Sequence, residues 1–304
     1  MRLISYLSIF ILHFVLYGQT NTKFTTLKSA LNEPEKAKWL ELNCKDEQPL
    51  SQLEQLVNVQ QLYLKDCALK ELPKEIGKLQ KLTLLNVQNN QLTFLSAELE
   101  ALANLSVINL RGNDFEKFPS VITKLPKLRE IDLTDNAKLD FSDVIEQLQQ
   151  VEKLDFLYLS ENNLTTLPEQ LSLLNALQEL HLTNNPNLDL TQAFSVLSKT
   201  ASLKILVLDE NQITGIPSSL SKMTQLEGLV LDGNPNIRLD QLSNQLEKLQ
   251  GLKVLLLRNS QIEKLPENLD AFNKLAVLEL SGNRFSETEQ ARIKNGLPDT
   301  NVVF

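Results

Sequence analysis

Residues 203–211 read L-K-I-L-V-L-D-E-N, and that stretch decides the fold. Leucine fills its first, fourth and sixth places, and an asparagine closes the frame at the ninth. The fourth and sixth places are two apart, so an extended backbone turns both side chains to one face and the intervening residues to the other. Downstream the frame recurs as L-E-G-L-V-L-D-G-N from Leu226, L-K-V-L-L-L-R-N-S from Leu252 and L-A-V-L-E-L-S-G-N from Leu275. Upstream it recurs as L-Q-E-L-H-L-T-N-N from Leu177, L-D-F-L-Y-L-S-E-N from Leu154 and L-R-E-I-D-L-T-D-N from Leu128. L-S-V-I-N-L-R-G-N from Leu105, L-T-L-L-N-V-Q-N-N from Leu82 and V-Q-Q-L-Y-L-K-D-C from Val59 continue it, and A-K-W-L-E-L-N-C-K from Ala37 fits loosely. Eleven units therefore cover residues 37 to 285.

The ninth place holds Asn90, Asn113, Asn136, Asn162, Asn185, Asn211, Asn234 and Asn283, with Cys67 and Ser260 as exceptions. An amide both donates and accepts, so it can bond backbone groups that turn away from the strand ladder and would otherwise be buried unpaired. These asparagines are expected to be structural. Unit starts lie 22, 23, 23, 23, 26, 23, 26, 23, 26 and 23 residues apart, and from Leu128 onward they pair into a 49-residue super-repeat. Short units carry Pro73, Pro119, Pro168, Pro217 and Pro266, which suit 3₁₀ or extended turns. Long units carry L-D-F-S-D-V-I-E-Q-L, L-D-L-T-Q-A-F-S-V-L and I-R-L-D-Q-L-S-N-Q-L instead. Leu239, Leu242, Leu246 and Leu249 fall at helical spacing, and Ser142, Thr191 and Asp240 are the expected N-caps.

With the linkers L-K-E-L-P-K-E-I-G-K-L-Q-K-L from Leu69 and L-T-T-L-P-E-Q-L-S-L-L-N-A-L from Leu164, the chain resembles the leucine-rich repeat family in its bacterial form. The resemblance implies an α/β class: a curved, horseshoe-like solenoid with a parallel β-sheet on the concave face and short helices or 3₁₀ turns on the convex face. It implies little about activity, because such a family shares an architecture rather than a reaction.

The ends read differently from the repeats. Residues 1–17, M-R-L-I-S-Y-L-S-I-F-I-L-H-F-V-L-Y, place one arginine before a short apolar run, and Gly18 and a polar stretch follow. That is the layout of a secretory signal peptide, with cleavage expected after Gly18. The run is too short for a membrane span, which needs ~20 apolar residues. The mature protein is thus expected to be exported, periplasmic, secreted or at the cell surface, without membrane insertion after cleavage. Residues 19–36 form an expected N-terminal cap, with a short amphipathic helix inside Thr25–Lys38. Residues 286–304 form a C-terminal cap, in which Ser286 and Glu289 open a helix that Asn295-Gly296 stops, and N-V-V-F at 301–304 seals the last repeat. Cys44 and Cys67 are the two cysteines. Export favours a disulfide between them, while their one-place offset in the frame favours two buried thiols, and both readings stand.

The 304 residues include 65 leucines, 2 cysteines and 2 histidines, and carry a formal charge of −8. Four converging Cys and His ligands for zinc cannot be assembled once His13 leaves with the leader. An acidic chain without a lysine or arginine run is a poor partner for nucleic acid. No G-x-x-x-x-G-K loop or nucleophile elbow occurs, so His181, Ser160 and Asp209 lack the setting of a catalytic triad. Asp135, Glu161, Glu210 and Asp232 read as a solvated rim, because D-L-T-D-N-A-K-L-D lacks the glycine of a calcium loop. No enzyme activity, cofactor or metal is expected.

The third, fifth and seventh places face away from the core. Val207, Val230 and Leu256 occupy the fifth place in consecutive units, with Tyr158 and His181 before them and Phe156, Ile205 and Val254 at the third place. Such a row is expected to be an exposed patch that binds a protein partner, although strand propensity alone also favours β-branched residues. The alternative is a carbohydrate or small-ligand binding protein of the cell envelope, with Trp39, Tyr63, Phe156 and Tyr158 as stacking platforms. An open sheet offers no deep pocket, which disfavours small ligands. Partner identity and oligomeric state are not encoded in these patterns.

Overall fold

The computed structural model describes residues 22–42, 44 and 49–304; the expected signal peptide lies outside the described residues. The chain divides into two compact units, residues 1–132 and 133–304. In the first, β1 (Lys23–Phe24), β2 (Trp39–Glu41), β3 (Gln61–Tyr63), β4 (Leu84–Asn86), β5 (Val107–Asn109) and β6 (Glu130–Asp132) run parallel in sequence order. In the second, β7 (Phe156–Tyr158), β8 (Glu179–His181), β9 (Ile205–Val207), β10 (Gly228–Val230), β11 (Val254–Leu256), β12 (Val277–Glu279) and β13 (Asn301–Val303) do the same. Each repeat thus contributes one three-residue strand, at the third to fifth places of its frame.

Register follows from burial. The fourth-place residues Leu40, Leu62, Leu85, Ile108 and Ile131 of the first unit are fully buried, as are Leu157, Leu180, Leu206, Leu229, Leu255 and Leu278 of the second. A one-residue slip would turn every one of them to water. After the sixth place the backbone leaves the ladder, and there the asparagines act as expected. Asn185 is fully buried; its Oδ1 accepts from the backbone N–H of Asn162 (3.1 Å) and Leu164 (2.9 Å), and its Nδ2 donates to the carbonyls of Leu159 and Leu182. Asn162 serves Asn136 in the same way, Asn211 serves Asn185, and Asn234 serves Asn211. At the exception Ser260, the hydroxyl accepts from Asn234 N–H at 3.2 Å, and the chain of bonds continues.

The eighth place has a role that the charge reading misses. Asp66, Asn89, Gly112, Asp135, Glu161, Asn184, Glu210, Gly233, Asn259 and Gly282 all have φ between 53 and 71°. The acids there are turn residues in the left-handed region, which costs a residue with a Cβ about 1–2 kcal/mol. Recurring Gly, Asn and Asp at one place of a frame was the available signal. Added methyl groups at Gly112 and Gly233 would fall 2.6 Å from Asn89 Oδ1 and 2.9 Å from Glu210 Cγ, so successive turns stack closely.

The return segments alternate as the spacing predicts. Short units return through 3₁₀ turns such as Lys74–Lys78, Glu169–Leu173 and Ser218–Lys222, each opened by a proline. Long units return through helices, numbered here after α1 (Leu27–Asn32): α2 (Phe141–Leu148), α3 (Leu190–Leu197) and α4 (Leu239–Leu246). Their N-caps sit two residues before the predicted ones. Asp140 accepts from Ser142 N–H, and Asp189 accepts from Thr191 and Gln192 N–H, while Arg238 at the equivalent place of α4 caps nothing. The preference for an acceptor outside the first turn puts the cap on the aspartate that each serine or threonine follows.

The ends also depart from expectation in detail. At the N-terminus a strand precedes the helix: Phe24 is buried and pairs with Leu40, and Thr26 caps α1 through Ser29 N–H. At the C-terminus Ser286 accepts from Glu289 N–H to open α5 (Glu287–Gly296). The Glu289 carboxylate does not reach back to complete the box; it takes Leu265 N–H and Arg292. β13 then pairs with β12 as the closing strand.

Candidate functional site

The second unit presents its third-, fifth- and seventh-place residues on one strand face. Along the fifth place, Tyr158, His181, Val207, Val230, Leu256 and Glu279 stand in register on consecutive strands. Along the third, Phe156, Glu179, Ile205, Gly228, Val254 and Val277 do the same. These residues stand side by side in register, but the exposure expected of the aliphatic ones is not found. Val207, Val230, Val254 and Leu256 are only 4%, 2%, 6% and 8% exposed. Strands ~4.8 Å apart bring side chains of adjacent repeats into contact, and a short branched residue is walled in by its neighbours. Phe156, Tyr158, His181 and Ile205 keep part of their surface in water.

The polar residues of this face are organised in two groups. The His181 ring stacks on Tyr158 with centroids 4.2 Å apart, and its Nε2 lies 2.6 Å from Oε1 of Glu179. His181 is therefore held by Glu179 rather than by the Ser160 and Asp209 considered from sequence. Farther along, Arg258 Nε donates to Asp232 Oδ2 at 2.6 Å, and the backbone N–H of Asp232 donates to Asp209 Oδ1 at 3.1 Å. Burial pushes the Asp209 carboxyl up to about 7 and the neighbouring Asp232 charge adds to it, against the Asp232 N–H, His181 and Arg258. Burial opposes the charge of Arg258, yet its pairing with Asp232 leaves the guanidinium raised above its ordinary value. Glu179 was missed from sequence. Its parity with His181, two residues on, places it on the same face, and that signal was available.

The stacking platforms of the alternative reading are partly covered. Tyr63 is buried, with Lys65 Nζ 5.7 Å from its ring centre, and Lys23 stands over Trp39 at 5.5 Å. Glu41 binds both lysines, at 2.8 Å and 3.4 Å, so its carboxyl lies below the usual range despite the opposing effect of burial. Nearby, Cys44 and Cys67 form a disulfide with Cα atoms 5.2 Å apart, which settles the pairing left open by sequence. An open groove of about 610 Å³ lies on the turn side of the first unit, between Phe94 and the segment Glu116–Val121.

Comparisons with known proteins agree with this architecture. The family described as leucine-rich repeat region matches residues 30–159, and the one described as Leucine Rich Repeat matches residues 202–223. No curated protein matches the sequence. A leucine-rich repeat protein of Leptospira interrogans has 22% identity and a TM-score of 0.51, covering 93% of this chain and 100% of its own. An internalin from Listeria monocytogenes has 20% identity and a TM-score of 0.59, covering 93% of this chain and 84% of its own. TLR13, solved in a complex with ssRNA13, has 18% identity and a TM-score of 0.58 over 89% of this chain and 44% of its own. Repeating frame, parallel three-residue strands, stacked asparagines and these matches converge: the chain is a leucine-rich repeat protein.

Proposed function

We propose that the protein is an exported, non-enzymatic scaffold that binds another protein through the strand face of its second unit. The observation that carries this reading is the part-exposed cluster of the Tyr158–His181 stack, Phe156 and Ile205, which the covered row Val207, Val230 and Leu256 borders in register. A flat aromatic and aliphatic centre with polar residues beside it has the composition of a protein interface. An open strand face is a poor host for small ligands, which favour enclosed volumes. Export is supported by the leader-like residues 1–18 and by the Cys44–Cys67 pairing, which suits an oxidising compartment. A carbohydrate reading is weakened by the lysines over Trp39 and Tyr63. An RNA partner, as for TLR13, is disfavoured by Glu179, Asp209, Asp232 and Glu279 on the same face.

The test is a pair of neighbouring substitutions. Ile205→Glu puts a charge on a part-exposed position of the face; a partner that covers it must desolvate that charge, which costs several kcal/mol. The variant should stay folded, at a modest cost from the like charge of Glu179 in register beside it, and lose crosslinked partners from the native host. Leu229→Ala, in the core, should do the opposite: it loses ~2–5 kcal/mol of stability and keeps binding below its melting temperature. Undiminished capture by Ile205→Glu, or capture of glycans in place of proteins, would overturn the reading. Intact-mass measurement of host-exported protein should show residues 1–18 missing, and a full-length mass would refute export by cleavage.

A further inference from the structure

We infer that Glu179 is the receptor for a basic side chain, lysine or arginine, which the partner protein presents next to aliphatic residues. The inference rests on the strand face being the binding surface. Glu179 sits on β8 between Phe156 and Ile205 in register, and is 4% exposed. Its Oε1 is taken by His181, while its Oε2 is buried without any hydrogen-bond partner. A buried carboxylate oxygen that has lost water and gained no donor is a standing cost to the free protein. A cationic donor removes that cost most effectively, because charge-assisted bonds to carboxylate are about twice as strong as neutral ones.

Two further features favour a cation on a protein segment. Asp209, Asp232 and Glu279 lie farther along the same face, and the guanidinium of Arg258 is already bound to Asp232, so the surroundings attract positive and repel negative partners. Phe156 and Ile205, both part-exposed, offer an apolar bed for the methylene stem of lysine or arginine, which a bare metal ion would not use. His181, part-exposed and stacked on Tyr158, is the side chain bonded to Glu179 and the one that an incoming group would have to displace to share the whole carboxylate.

The test uses the full mature chain and two labelled pentapeptides, acetyl-Val-Arg-Val-Arg-Val-amide and its citrulline counterpart, which has the same shape and no charge. The arginine peptide should bind ~10-fold more tightly or better, the equivalent of one charge-assisted bond, and should shift the His181 imidazole resonance. Glu179→Gln, nearly isosteric, should abolish that preference without lowering the melting temperature. His181→Gln, which keeps the carboxylate, should retain it, so the inference stays testable even if Glu179→Gln folds poorly. Equal binding of the two peptides, no binding of either, or a preference that survives Glu179→Gln would overturn the inference. The two readings fail separately: partner capture lost in Ile205→Glu but unchanged in Glu179→Gln leaves the face standing and removes the basic contact. Capture unchanged in Ile205→Glu removes the face itself.

Discussion

Asn185 shows how a polar residue holds an apolar solenoid together. It satisfies two N–H groups and two carbonyls of its own and the preceding repeat, all away from water. Asn185→Ala leaves the Asn162 and Leu164 N–H groups and the Leu159 carbonyl without this partner, while the Leu182 carbonyl keeps the Asn211 amide, so the expected loss is ~3–5 kcal/mol. Asn185→Asp should be nearly as harmful, because a carboxylate cannot donate to Leu159 and Leu182. Urea unfolding at fixed pH checks both. A loss below 1 kcal/mol for the alanine variant would mean that water substitutes for the amide.

At the scale of the element, one frame supports two kinds of return segment. Proline at the start of a short segment presets φ and favours a single 3₁₀ turn, as at Pro168 and Pro217. Three more residues allow two turns of α-helix, whose free N–H groups then need a cap. Asp140 and Asp189 supply it at equivalent places of the super-repeat, and Arg238 does not. Arg238 already has the extended backbone of an N-cap, with φ −86° and ψ 105°. Arg238→Asp should therefore stabilise the second unit by about 0.5–1.5 kcal/mol, read as a higher midpoint with an unchanged denaturant slope.

Across the whole molecule the stability should carry a pH dependence that originates on the strand face. Asp209 ionises near its ordinary 3.8 when unfolded and near 7 when folded, mainly through burial and then through Asp232. Between those values the folded state holds the extra proton, so stability from this group is complete below 3.8 and is lost as pH rises through 7. Asp209→Asn keeps the acceptor for Asp232 N–H and removes the titration. Relative to wild type it should gain up to ~4 kcal/mol on going from pH 4 to pH 8, measured by denaturant titration at each pH. Parallel profiles of the two proteins would show that Asp209 ionises normally.

How much was legible from sequence follows the physics of the repeat. By itself the sequence determined the frame, the strand positions, the core leucines, the asparagine bonds and the alternation of short and long returns. Each of these depends on residues within one unit or its immediate neighbour, where spacing alone decides which face a side chain takes. Frame position also pointed to Phe156, Tyr158, His181 and Ile205 as neighbours. Tertiary structure alone decided how they meet. Val207, Val230 and Leu256 are covered because adjacent repeats close around them, and Cys44 meets Cys67 with Cα atoms 5.2 Å apart across neighbouring repeats. Glu179 takes His181 two residues on along the same strand, while Asp209 is left beside Asp232 because the stacking of successive repeats sets which charges become neighbours between units of the frame. A one-dimensional pattern fixes the direction of each side chain, and exposure and pairing emerge only when the repeats are packed against each other.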